Sequence, residues 1–219
     1  MSRVIITMLK SVNVVRFLAF GASLTEGFYN YGMLYHPYTL KLESLLKSHY
    51  ASLDPNMQIE VVNQGLSGEA VLETMQNRLE QVLANQTTKF DWVLIFAGTN
   101  DTMRDQAEAK DVLGGLQAMY NNCLKTGAKV LAMTLPETEI SLNSPLDKSR
   151  QELNKLLRQT YLLSSNMNKV ILLDVEKQLP YHSMTKQEQE RIWDDGLHLK
   201  PEGYDRLGEM IFNALKAYL

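Results

Sequence analysis

Short apolar runs alternate with stretches of helical periodicity along this chain, and that alternation constrains its fold more than any other feature. The runs are Val14–Phe20, interrupted only by Arg16, then Met57–Val62, Trp92–Ala97, Lys129–Thr134 and Lys169–Val175. Between them, apolar residues recur every three or four positions. Tyr38, Leu42, Leu45 and Leu46 mark a helix from Pro37 to Tyr50, and Val71, Met75, Leu79, Val82 and Leu83 mark the next. A third spans Gln106 to Thr126, where Gly127 stops it and the Gly114–Gly115 pair is its weak point. Leu153, Leu156, Leu157 and Tyr161 define a helix over Leu146–Ser164, and a short polar helix is expected at Met184–Arg191. Pro201 opens the last helix, with Tyr204, Leu207, Ile211 and Leu215 facing inward. Runs that are apolar throughout suit strands buried on both faces, which helices must then cover. The expectation is an α/β fold, three-layer α/β/α, with a mainly parallel five-stranded sheet and right-handed crossovers. Residues 1–219 read as one domain, with 1–13 a poorly ordered extension ahead of the first strand.

Composition removes several classes of function. The chain is 45% hydrophobic with a net charge of −3 and no basic stripe, so nucleic acid is not an expected partner. One cysteine, Cys123, excludes an internal disulfide, and its helical neighbours Leu116, Met119 and Tyr120 make it a core residue. No Cys/His cluster has zinc-like spacing, so no metal is expected. Val4–Leu9 is too short to span a membrane and is not followed by a cleavage site of small residues. A cytoplasmic location is expected. Arg3, Lys10 and Arg16, all ahead of the first acidic residue Glu26, carry a weak organelle-targeting character. Nothing in the sequence fixes an oligomeric state.

Four polar clusters stand where chemistry needs them. Ser23 lies just past the first strand, where it can expose its hydroxyl and offer its backbone N–H, the nucleophile and oxyanion donor of acyl transfer. The plainer alternative is that Ser23 caps a helix. Gly65, in Asn63-Gln64-Gly65, and Asn100, in Gly98-Thr99-Asn100-Asp101, each follow another strand and reach the same rim of a parallel sheet. Asp195-Gly196-Leu197-His198 precedes the last helix. His198 can take the serine proton while Asp195, three residues before it, orients the ring. The N–H groups of Ser23 and Gly65 and the Asn100 amide can hold an oxyanion. His36, His49 and His182 have no comparable partner in sequence. Thr25 stands where a G-x-S-x-G elbow needs its second glycine, which argues against the α/β-hydrolase arrangement.

In order and over Phe17–Tyr204, these blocks resemble the SGNH hydrolases, the GDSL esterase/lipase family. Gly21-Ala22-Ser23-Leu24-Thr25 is similar to the first block, and the resemblance extends to Pro201 and Gly203-Tyr204 after the last. It implies a flavodoxin-like SGNH fold and a serine esterase with catalytic Ser23, Asp195 and His198, an oxyanion hole of Ser23, Gly65 and Asn100, and no cofactor. It also favours Asp195 over Asp194, because the spacing is D-x-x-H. One departure is Ala22, where the family usually has aspartate. A non-catalytic ligand-binding protein on the same scaffold is the alternative reading. The aromatic loop Phe28–Tyr38 follows the nucleophile, making Tyr29 and Tyr31 candidate substrate contacts. With no long insertion to form a lid, the expected partner is a short-chain or water-soluble ester.

Overall fold

A computed structural model describes residues 13–161 and 169–219. The expected extension at 1–13 lies, apart from Asn13, outside the described residues, as does the expected end of the helix reaching Ser164. In chain order the elements are β1 (Val14–Gly21), α1 (Ser23–Glu26), β2 (Phe28–Tyr29), β3 (Leu34–Tyr35), α2 (Thr39–Leu53) and β4 (Gln58–Gly65). A π-helical turn (Val71–Met75) leads into α3 (Gln76–Ala84), then β5 (Trp92–Phe96), α4 (Thr99–Met103), α5 (Ala109–Thr126) and β6 (Lys129–Met133). The chain continues through α6 (Pro145–Tyr161), β7 (Val170–Leu173), α7 (Val175–Gln178), α8 (Lys186–Ile192) and α9 (Pro201–Leu215). No described helix is long and apolar enough to cross a membrane.

Five strands form one parallel sheet in the order β4–β1–β5–β6–β7. The first strand lies between the second and third. The chain therefore steps outward from β1 to β4 and returns past it to β5, opening a crevice beyond the carboxyl ends of β1 and β5. Side chains along β1 alternate between two cores, as the two-residue strand period requires. Phe17 and Ala19 join Leu42, Leu46, Tyr204, Leu207 and Ile211 beneath α2 and α9. Leu18 and Phe20 join Leu79, Val112, Leu116 and Leu153 beneath α3, α5 and α6. All four β1 side chains are fully buried. Burying a side chain of this size contributes ~1.5–3 kcal/mol, so the sheet is fixed from both faces. Arg16, the one charge in β1, bonds Glu60 of β4 at 2.6 Å and lies 4.5 Å from the Phe90 ring centroid.

Several boundaries differ from the sequence reading, each for a physical reason. β4 runs on to Gly65 because it pairs with β1 residue for residue, ending Gly21↔Gly65. Thr99–Met103, ahead of the helix expected from Gln106, is already a short helix, entered through Gly98 at φ 114°. The Gly114–Gly115 pair does not interrupt α5. A Cβ at Gly115 would come within 2.7 Å of Val71 Cγ1, so the missing side chain is what lets α5 approach the π turn. Within Phe28–Tyr38, a two-stranded antiparallel hairpin pairs Phe28 with Tyr35 and Tyr29 with Leu34. Cys123 is fully buried, and burial pushes its thiol up to about 12.

Candidate active site

Ser23 is the first residue of α1, so its N–H is one of those a helix leaves without an internal partner. The cap position is Ala22, which leaves the Ser23 hydroxyl uncommitted to capping. Ala22 is nearly buried, and its carbonyl accepts the N–H groups of Thr25 and Glu26. Ser23 Oγ lies 2.9 Å from His198 Nε2, across 175 positions of sequence. His198 Nδ1 lies 2.7 Å from Asp195 Oδ2. A carboxylate only accepts, so Nδ1 carries the proton and Nε2 is left to accept from the serine.

The D-x-x-H spacing closes its own turn. Asp195 Oδ1 accepts the backbone N–H groups of Leu197 and His198 at 3.1 and 2.7 Å. Gly196 has φ 74°, and a Cβ there would meet the Glu139 side chain at 2.5 Å. Partial burial raises the Asp195 carboxyl, but the bonds from His198 and Leu197 outweigh it and hold the group below the usual carboxylate value. Asp194 points elsewhere: its Oδ2 accepts the Asn30 N–H at 2.6 Å, and its own N–H donates to the His198 carbonyl.

Asn100 follows β5 at the start of α4 and lines a small pocket with Ala22, Ser23, Leu24, Phe96, Ala97, Thr99 and Leu197. One of its amide hydrogens goes to the Glu69 carbonyl, with N···O at 2.8 Å. Asp101, beside it, is 1% exposed, and its carboxylate caps the π turn by accepting the N–H groups of Val71 and Leu72.

Gly65 does not stand ready as a donor. Its N–H already bonds Asn63 Oδ1 at 2.8 Å, and a side chain there would overlap the Glu26 backbone. It is a packing glycine between β4 and α1. The loop beyond it carries a better candidate. Gly68 has φ 80°, and its N–H bonds nothing among the described residues. The loop is fixed on both sides, by Leu66 N–H to the Gly21 carbonyl and by Glu69 to Asn100. Two glycines three apart were both present in sequence, and only the backbone angle and the Asn63 bond separate them.

Tyr29 and Tyr31 do not line the pocket. Tyr29 is half-buried against the core beneath α2 and α9, and Tyr31 is 84% exposed at the hairpin tip. The aromatic side chain that meets the site is Phe28, whose ring centroid is 4.5 Å from that of His198. His36 bonds Asp205, His182 bonds the Ile140 carbonyl, and His49 packs on Tyr50 and Phe212. Arg78, not singled out in sequence, braces the site from below. It bonds the buried Glu69 and the carbonyls of Gly21 and Gln64. A larger cleft of about 690 Å³ is lined by charged residues of α6 with Glu137 and Glu176 and holds none of the serine, histidine or aspartate.

A Ser–His–Asp line at the carboxyl rim of a parallel sheet ordered in this way has the form of an SGNH-type esterase. The match to a family model agrees. Residues 19–206 match the GDSL-like Lipase/Acylhydrolase family, and the chain belongs to it. Among curated proteins, none matches the chain significantly by sequence. Solved structures share the fold. Axe2, an acetylxylan esterase from Geobacillus stearothermophilus, is 19% identical with a TM-score of 0.70, covering 93% of this chain and 95% of its own. A putative arylesterase from Agrobacterium tumefaciens is 19% identical with a TM-score of 0.68, covering 94% and 100%. A carbohydrate acetylesterase family member from Sinorhizobium meliloti is 18% identical at 0.68, covering 93% and 98%.

Proposed function

We propose that this esterase cleaves short-chain carboxylic esters, acetyl esters foremost, through an acyl-serine intermediate on Ser23. The observation that carries the proposal is the unbroken line from Ser23 Oγ through His198 to Asp195, with spacings of 2.9 and 2.7 Å. His198 Nε2 takes the hydroxyl proton as Oγ attacks the ester carbonyl. The oxyanion forms toward the Ser23 N–H and the free hydrogen of the Asn100 amide, and Gly68 N–H is the third donor. Collapse breaks the C–O bond to the alcohol, whose oxygen receives the proton from His198. Water then attacks the acyl-serine by the same route and returns the enzyme. Asp195 keeps the ring in the right tautomer and balances the imidazolium charge.

The acyl preference follows from space. The small pocket beside Ser23 and Asn100 is closed in by Ala22, Leu24, Phe96, Ala97 and Leu197, and so close a lining suits a short acyl group. Ala22 argues less for a non-catalytic protein than its sequence position suggested, because position 22 contributes a backbone carbonyl and an apolar methyl group to the turn. The experiment is labelling with a fluorophosphonate, together with turnover of one alcohol esterified with acids of increasing length. Labelling at Ser23, loss of nearly all turnover in Ser23→Ala and a steep fall beyond acetyl are expected. Labelling that survives Ser23→Ala would overturn the assignment. In the phosphonylated enzyme, the phosphoryl oxygen should lie within hydrogen-bond reach of Gly68 N–H.

A further inference from the structure

We infer that Phe28 is a positioning residue for the catalytic base, and that the β2–β3 hairpin is built to press its ring against His198. The inference rests on the esterase reading above. Both nitrogens of the His198 ring are committed, one to Asp195 and one to Ser23. Those two bonds leave the ring free to rock about the line joining them. Its faces are what remain to be held, and the Phe28 ring lies against one of them, centroids 4.5 Å apart and planes tilted by 42°.

The hairpin has little other reason for its shape. Asn30, Tyr31 and Gly32 take positive φ values of 51°, 55° and 78° in succession, two of them at residues with side chains. Such a turn is strained and persists only where its surroundings hold it. Gly32 sits on the Phe28 ring so closely that a Cβ would come within 2.6 Å of Cε2. Tyr35 meets the same ring edge-on at 6.2 Å. The ring is thus held between the hairpin's own turn and the imidazole.

The backbone around it is anchored to the segment that carries the base. Tyr204 Oη donates to the Phe28 carbonyl at 2.6 Å. Asn30 N–H donates to Asp194, whose own N–H holds the His198 carbonyl at 2.8 Å. His36 ties the far end of the hairpin to α9 through Asp205 at 2.9 Å. Phe28 and His198 are therefore tied into one set of hydrogen bonds. A flat apolar wall on the imidazole also keeps water from the Ser23–His198 bond, which a proton must cross in both half-reactions.

The test compares Phe28→Leu and Phe28→Met with the wild type, reading kcat and KM on an acetyl ester, the fluorophosphonate labelling rate and the melting temperature. Both variants fill the space but lack the flat face, and two are made so that one folding failure does not end the test. Expected is a loss of kcat and labelling rate on the order of tenfold, as a small misplacement of a catalytic group costs, with KM nearly unchanged. Gly32→Ala should cost a similar factor alone but almost nothing further in the Phe28→Leu background, because both act through one ring. Unchanged kcat and labelling would overturn the inference, as would a loss confined to KM or one explained by the unfolded fraction. A wild type that neither labels at Ser23 nor turns over acetate would instead overturn the esterase reading, and this inference with it.

Discussion

At position 100 the side-chain amide is committed on one side only. One hydrogen holds the Glu69 carbonyl and the other bonds nothing among the described residues, which leaves it for the proposed oxyanion. Asn100→Ala should lower kcat by roughly 10²–10³, with a smaller effect on KM, as loss of one preorganised donor does. Unchanged kcat in steady-state assays would make the residue a loop tie alone. The pH profile belongs to this scale as well. Asp195 is held below the ordinary carboxylate value, which favours the ionised form that accepts from His198. The pH–rate profile should therefore show no step at the ordinary carboxylate value that Asp195→Asn abolishes, and such a step would contradict the assignment. Ser23 stood out in sequence by closing an apolar run, and Asp195 and His198 by their D-x-x-H spacing just ahead of the last helix; the structure brings the three side chains within hydrogen-bond reach. Gly65 was misread because Asn63-Gln64-Gly65-Leu66-Ser67-Gly68 offers two glycines, and sequence does not show which N–H Asn63 has taken.

Among the elements, α5 and the hairpin are where the reading of the sequence stopped short. Periodicity located α5 but could not say which of two adjacent glycines faces a neighbour. Gly114 is open to solvent and Gly115 abuts Val71. Gly114→Ala should therefore stabilise the protein by about 0.5–1 kcal/mol, and Gly115→Ala should destabilise it by about 1–3 kcal/mol. Denaturant unfolding decides, and equal effects would refute the packing account. Two-residue strands carry no periodicity to detect, so the hairpin read as an aromatic loop. Its two candidate tyrosines now separate. Tyr29→Ala, which removes a half-buried ring, should lower the melting temperature and affect all esters alike. Tyr31→Ala, at the exposed hairpin tip, should leave stability intact and change kcat/KM ratios between esters little, well under the about 1–3 kcal/mol that loss of a wall contact costs.

Across the whole molecule, a polar network closes the carboxyl end of β7 away from the serine. Arg158 bonds Asp174 at 2.7 Å and also Glu176, and Arg150, nearly buried, bonds Asp147 at 2.7 Å and Glu176. Burial raises Asp147 and Asp174, but their arginine partners hold both below the ordinary value. A depressed carboxylate stabilises the fold above its unfolded pKa of about 3.9 and loses that contribution as pH falls through the folded value. Melting temperature should fall with acid below about pH 4, and less so in Asp174→Asn. Arg150→Met should cost about 3–5 kcal/mol at neutral pH by leaving the buried Asp147 carboxylate without its cation. The α/β architecture itself was legible from alternation, because burial on both faces demands apolar runs. The small pocket beside Ser23 was not, since residues of the β1–α1 turn, the β5–α4 turn and the His198 loop enclose it together.

The 175-position gap between Ser23 and His198, spanned by a 2.9 Å bond, has a temporal meaning. A ribosome delivers Ser23 long before His198 exists. β1 lies between β4 and β5, so its neighbours are also made after it. A nascent chain that has not reached residue 198 carries a serine hydroxyl with no base to activate it. On the proposed triad, hydrolytic competence arises in one step, once residue 198 is made and the segment ahead of α9 docks.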